Sequence, residues 1–284
     1  MNYTTLISPQ ELAACCGNPG LLIVDCRFEL SDPGKGARAW HASHLPNAHY
    51  AHLDRDLSDL TKTGLGRHPL PDAAAFAERL SRWGWTPDKQ VVAYDDANGS
   101  TAARLWWMLR LVGHREAAVL DGGFAAWEAA CLPLAVDAPI EAAWDVDLGF
   151  DLSQVVYVDE LERGLAERSL LLLDARGAPR YRGDVEPIDP VAGHVPGARN
   201  RPFLDNLDID GRFKRADELR EEFEAVLGDY ASERVVHSCG SGVTACHNLL
   251  AMEHAGLDGS RVFAPSWSGW IADPARPVAR GPMP

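Results

Sequence analysis

Short apolar runs recur along the chain, and each ends in polar residues. Leu21–Val24 runs into Asp25-Cys26-Arg27, and Leu170–Leu173 runs into Asp174-Ala175-Arg176. Val91–Tyr94 and Val235–Ser238 form a second such pair. A short apolar run with a polar C-terminal edge fits a strand buried on both faces, as in a parallel sheet. A loop and a stretch of helical patterning follow each member of the second pair, at 102–111 and 244–255. Short apolar strands alternating with helices predict an α/β fold.

The runs also reveal an internal repeat. His44-Leu45-Pro46-Asn47-Ala48 matches His194-Val195-Pro196-Gly197-Ala198, and both read as turns. Val119–Trp127 matches Val262–Trp270. Two copies predict two similar domains, residues 1–140 and 150–284, each a mostly parallel sheet flanked by helices. The segment from Leu134 to Leu152 is rich in Ala, Asp and Pro and weakly patterned, so it reads as the linker.

The 284 residues are 46% hydrophobic, enough for two cores. No apolar run approaches the roughly 20 residues of a membrane-spanning helix. The start lacks a basic segment followed by an apolar one, which points to the cytoplasm. A net charge of −14 disfavours nucleic acid and anionic membrane as partners. A small anion can still bind where arginines or backbone N–H groups outweigh the global field. Cys15, Cys16, Cys26, Cys131, Cys239 and Cys246 read as reduced thiols. There is no C-x-x-C pair, and Cys246-His247 has no second ligand pair at zinc spacing, so no metal is expected. No cofactor is expected either.

The two copies differ at one informative position. In the second, the strand runs into Cys239-Gly240-Ser241-Gly242-Val243-Thr244. In the first, the matching strand runs into Asp95-Asp96-Ala97-Asn98-Gly99-Ser100. Asp95 thus stands where the second copy has Cys239, and an aspartate cannot serve as a thiolate nucleophile. A loop with two glycines between strand and helix can turn its N–H groups inward as an anion nest. The helix beginning near Thr244 adds its positive end. Both favour a thiolate nucleophile. A cysteine in such a turn is ordinarily a buried structural residue. The paired glycines, the repeat and Asp95 in the other copy favour chemistry here.

At these residues the chain resembles the rhodanese superfamily, specifically its tandem-domain sulfurtransferases. The loop from Cys239 to Thr244 is similar to the form that uses 3-mercaptopyruvate, whereas thiosulfate-using rhodaneses carry basic residues where this chain has Gly240 and Ser241. The resemblance extends to both His-x-Pro turns, Trp106-Trp107-Met108-Leu109-Arg110, Leu120-Asp121-Gly122-Gly123 and Ser266-Trp267-Ser268-Gly269-Trp270. It implies two rhodanese-like domains, the first without a catalytic cysteine. It places Arg180 where the family grips a substrate carboxylate, and a bidentate pair there would orient the donor. It places His68 at the cleft, either lining the pocket or packing a loop, and Trp267 as a pocket wall or a core residue. Three departures accompany it. Glu186-Pro187 is followed by Ile188 where the mammalian-type pattern has a second arginine, so that grip is absent or supplied elsewhere. His52, with Asp54 nearby, stands where the family has an aspartate proposed to work with the loop serine, so no Cys–Ser–Asp relay is expected. Ala264-Pro265-Ser266 and Gly269 replace the common Asp-Gly-Ser and Glu.

The expected chemistry is a double displacement. Cys239 takes a sulfur from a small anionic donor held by Arg180, keeps it as a persulfide, and yields it to a thiol, such as that of a thioredoxin-like protein, or to cyanide. Gly240, Ser241, Gly242, Val243 and Thr244 would surround the sulfur, with Ser241 donating a hydrogen bond or relaying a proton. Cys246 packs the core or acts as a resolving thiol, Cys15 and Cys16 are structural, and Cys26 is buried. A thiosulfate:cyanide sulfurtransferase is the nearest alternative, and a non-catalytic sulfur carrier or binding module a more distant one. A cysteine phosphatase needs an arginine at the end of the loop, where Ala245 and Cys246 stand. Gly240-x-Gly242 without a P-loop lysine does not indicate nucleotide binding.

Overall fold

A computed structural model describes residues 2–140 and 144–283. The linker expected over 134–152 therefore includes three residues, 141–143, that lie outside the described residues. Among the described residues, ten strands form two five-stranded sheets. The first contains β1 (Leu6–Ile7), β2 (Leu21–Asp25), β3 (Ala48–Tyr50), β4 (Gln90–Tyr94) and β5 (Ala117–Leu120) in the order β1-β5-β4-β2-β3. The second contains β6 (Val155–Val156), β7 (Leu171–Asp174), β8 (Arg199–Asn200), β9 (Val235–Ser238) and β10 (Arg261–Phe263) in the order β6-β10-β9-β7-β8. Every pairing between these strands is parallel. The α/β expectation of two similar parallel-sheet domains holds.

The chain's compact units do not follow the sequence halves without exchange. Residues up to 59, 70–151 and 210–212 form one unit, and residues 60–69, 152–209 and 213–284 form the other. Segment 60–69 comes from the first repeat yet packs with the second unit.

In each unit the central strands are buried along their whole length, which explains why they read as unbroken apolar runs. The first core gathers Ile23, Val92, Tyr94, Leu120 and Trp127. The second gathers Leu172, Val236, Tyr181, Phe263 and Trp267. The Asp-x-Arg signature has a structural purpose in both. Arg27 Nη2 lies 2.6 Å from Asp25 Oδ2 and 2.6 Å from the Ser43 carbonyl. Arg176 Nη2 lies 2.7 Å from Asp174 Oδ2 and 2.7 Å from the Gly193 carbonyl. Each clasp ties a strand end to the residue before a His-x-Pro turn.

The strand order creates a reversal point. From β7 the chain goes outward to β8, and from β9 it goes the other way to β10. The crevice at the carboxyl ends of β7 and β9 is where open parallel sheets bind ligands. Cys239 follows β9, and Arg176 and Arg180 follow β7.

One core residue links this sheet to pH. His237, in β9, is fully buried. Its Nε2 lies 3.0 Å from Ser260 Oγ, and its Nδ1 has no hydrogen-bond partner among the described residues. Burial pushes its pKa down to about 3. The unfolded chain takes up this proton below about pH 6.5, while the folded chain stays neutral until about pH 3. The unfolded state binds more protons in that window, so stability falls as pH falls. The slope from this residue is about 1.4 kcal/mol per pH unit once the unfolded histidine is protonated. Urea titrations at pH 7, 6 and 5 should show a shallower loss in His237→Gln than in the wild type. Parallel curves would show that His237 does not govern the acid limb.

Candidate active site

Cys239 is buried at the C-terminal end of β9. Three contacts fix the backbone of Cys239 and Gly240. Its N–H donates to Ser266 Oγ at 3.1 Å. Its carbonyl accepts the Trp267 N–H at 3.0 Å, and the Gly240 carbonyl accepts the Ser268 N–H at 2.9 Å. Ser266 takes a left-handed φ of 51° to make this contact and also donates to the Phe263 carbonyl at 3.0 Å. The sulfur accepts the Gly242 N–H at 3.1 Å. Gly242 has φ 80°, and a Cβ there would lie 2.4 Å from the Ala264 carbonyl oxygen. No side chain fits without moving backbone. The loop's second glycine is thus a steric requirement for bringing an N–H to the sulfur.

Val243 is buried beside the loop, and Thr244 precedes the helix Ala245–His254. Cys246, in its first turn, is fully buried and donates to the Gly242 carbonyl at 3.4 Å. Trp267 is also fully buried. Its Nε1–H donates to the Val191 carbonyl at 2.9 Å, and Arg176 lies over its ring at 4.8 Å. Cys16, read as structural, is exposed at the end of the helix Pro9–Cys15.

Ser241 Oγ lies 2.8 Å from His68 Nδ1, and both residues are buried. The direction of that bond follows the imidazole tautomer. His52 sits in the first unit, where its Nδ1 accepts the Asp54 N–H at 3.1 Å and caps a short helix.

Arginines converge on the loop. A Cβ on Gly240 would lie 3.1 Å from Nη2 of Arg67 and 3.7 Å from both Nη atoms of Arg180. Arg180 is held by Glu186, with Nη2–Oε1 at 2.6 Å, and touches Asp189 Oδ2 at 3.1 Å. The other oxygen of Asp189 accepts from Arg67 Nη1 at 2.6 Å. Glu186 also meets Arg176 at 3.4 Å. Burial pushes the Glu186 carboxyl up, but hydrogen bonds from Arg180 and from the Asp189 and Ile188 amides outweigh it and hold the group below its ordinary range. Burial works against the Arg176 charge, while Asp174, Glu186 and the Cys239 sulfur hold it above its ordinary value.

Arg67, Glu186 and Asp189 were not among the residues expected at the site from sequence. Gly66-Arg67-His68-Pro69 carries a motif only through its histidine, and Glu186-Pro187-Ile188 stands out only for the arginine it lacks.

The first unit carries a corresponding loop, one residue longer before its helix, with Asp95 at the position of Cys239. Asp95 is fully buried after β4. Its Oδ1 accepts the N–H groups of Ala97 and Gly99, and its Oδ2 those of Thr101 and Ala102, all at 2.8 Å. Burial pushes this carboxyl above its ordinary range against the pull of the four amides. In the first unit four loop amides thus surround the chain's own Asp95 carboxyl group, whereas at Cys239 the sulfur accepts the Gly242 N–H.

Comparison with known proteins agrees with this geometry. The rhodanese-like domain model matches residues 8–130 and again 157–273. A Pseudomonas aeruginosa protein named "Probable 3-mercaptopyruvate sulfurtransferase" is 49% identical over 283 residues, spanning 99% of this chain and 100% of that one. A Mycobacterium tuberculosis protein named for thiosulfate sulfurtransfer is 39% identical over 285 residues, spanning 97% of each. The solved structure of 3-mercaptopyruvate sulfurtransferase from Leishmania major superposes with a TM-score of 0.83 at 32% identity, covering 94% of this chain and 74% of that one. The chain belongs to the rhodanese-like domain family and carries two copies of that domain.

Proposed function

We propose that the protein is a sulfurtransferase that moves a sulfane sulfur from 3-mercaptopyruvate to a thiol or cyanide through a persulfide on Cys239. The catalytic domain is the second repeat, within 150–284, completed by residues 60–69. The first repeat, within 1–140, has no catalytic cysteine. The observation that supports this reading best is the meeting of a nucleophilic sulfur, a loop amide and two guanidinium groups at one place.

The chemistry balances without a cofactor. The Cys239 thiolate attacks the donor sulfur, an S–S bond forms and the donor's C–S bond breaks. The electron pair leaves with the carbon as the enolate of pyruvate. The donor's thiol proton ends on the methyl carbon of pyruvate, and the outer sulfur remains as a persulfide anion. Ser241, braced by His68, is the loop group that can carry this proton. The Gly242 N–H stabilises negative sulfur as an oxyanion hole would. An acceptor thiolate or cyanide then attacks the outer sulfur and restores the Cys239 thiolate. Donor and acceptor never need to bind together, so ping-pong kinetics follow.

The family includes a relative named for thiosulfate, so the donor must be tested directly. Intact mass should rise by about 32 Da on incubation with 3-mercaptopyruvate, and peptide mapping should place the added sulfur on Cys239. Faster loading by thiosulfate would replace the donor assignment. No loading by either would remove the sulfurtransferase reading.

A further inference from the structure

The Gly66–Arg67–His68 segment lies against the catalytic loop by design of its neighbours. Gly66 has φ 94°, and a Cβ there would lie 2.4 Å from the Pro265 carbonyl oxygen. A Cβ on Gly269 would lie 2.4 Å from Pro265 Cβ and 3.2 Å from Gly66 N. A glutamate at Gly269 could not coexist with this path. The Arg67 N–H donates to Ser268 Oγ at 2.9 Å, which fixes where the side chain starts. Two substitutions noted in the sequence, Gly269 for glutamate and Ile188 for arginine, thus fall together with a guanidinium brought in from residue 67.

The donors left over by the ion pairs define what fits. Arg67 spends Nη1 on Asp189, and Arg180 spends Nε and Nη2 on Glu186 and Asp189. Arg67 Nη2 and Arg180 Nη1 make no hydrogen bond among the described residues, and both face Gly240, next to Cys239. Asp189 holds the two side chains one on each oxygen. The cluster contains the guanidiniums of Arg67, Arg176 and Arg180 and the carboxylates of Asp174, Glu186 and Asp189, so its charges balance. Selection then rests on directed N–H groups rather than on excess positive charge, which suits a planar monocarboxylate better than the thiosulfate dianion.

We infer that Arg67 is the second arm of a two-armed carboxylate clamp, with Arg180 the first and Asp189 the brace between them, and that this arm sets the preference for a carboxylate-bearing donor. The inference rests on the sulfurtransferase reading for its substrate but can be tested apart from turnover. Pyruvate supplies the carboxylate without the sulfur. In the full-length chain, Arg67→Met should weaken pyruvate binding by calorimetry, and raise KM for 3-mercaptopyruvate, by about 10- to 100-fold, the worth of one charge-assisted hydrogen bond. KM for thiosulfate and for cyanide should change by less than about 3-fold, and Arg67→Lys should restore part of the loss. Because Arg67→Met leaves Asp189 short of a partner, Arg67→Met/Asp189→Asn decides the matter if the single variant does not fold. Unchanged pyruvate affinity in these variants, or an equal loss with thiosulfate, overturns the clamp, as does a wild type that binds no pyruvate. A wild type that binds pyruvate but forms no persulfide leaves the clamp standing and overturns the sulfurtransferase reading.

Discussion

Cys239→Ser is expected to take up no sulfur from any donor and to lose turnover by at least about 10⁴-fold. A serine hydroxyl does not ionise near neutral pH, and it cannot hold a sulfane sulfur. The variant should still fold. The position is buried, serine is smaller by little, and its Oγ can accept the Gly242 N–H that now meets the sulfur at 3.1 Å. The backbone anchors from Ser266, Trp267 and Ser268 do not involve the side chain. Thermal unfolding should therefore stay within about 2 °C of the wild type, since a ΔΔG below about 1 kcal/mol moves Tm little in a chain of this size. Sulfur uptake by the variant, read by intact mass, would assign the chemistry to another thiol.

The second large effect lies in the unit without a catalytic cysteine. Asp95→Ala removes the acceptor of four backbone N–H groups at a fully buried position. Each orphaned donor costs about 1–3 kcal/mol before relaxation, and water entry recovers part of that. A net loss of roughly 3–5 kcal/mol is expected, comparable to breaking a buried ion pair. Urea denaturation should resolve an early transition for the first unit, while the second unit keeps its midpoint. Asp95→Asn should recover little, because its amide NH₂ would face two donors in place of an oxygen. A single unchanged transition in Asp95→Ala would show that the loop does not need its anion.

The strands, the repeat and the Cys239 loop were legible because each is a local pattern. Apolar runs such as Leu171–Asp174 are buried on both faces, so burial writes itself into the sequence without interruption. The pairing of Cys239 with Asp95 was legible because the two copies could be laid side by side. Arg180 was found through the resemblance, six residues past the Asp174 strand end. Arg67 was not, because its partners Gly240 and Asp189 lie far along the chain, and no periodicity reports a contact of that span. The one available hint was an arginine missing after Glu186-Pro187, which marked a need without locating its source. The His68–Ser241 contact spans 173 residues and was hidden for the same reason, although both residues had been singled out separately.

The filled nest around Asp95 contrasts with the shorter loop that holds Cys239. A carboxylate offers two oxygens, and in the first unit those two atoms reach four amides. A cysteine sulfur is one atom, and in the second unit it accepts one N–H, from Gly242. A persulfide adds a second acceptor about 2 Å beyond the first and carries the charge outward, which gives the side chain the reach of an aspartate. On the proposed chemistry, the loop matches the intermediate better than the bare thiolate. Sulfur transfer would then have an uphill step at unloading rather than at loading. With donor present the enzyme would rest in its charged form, as a reservoir whose discharge is timed by the acceptor.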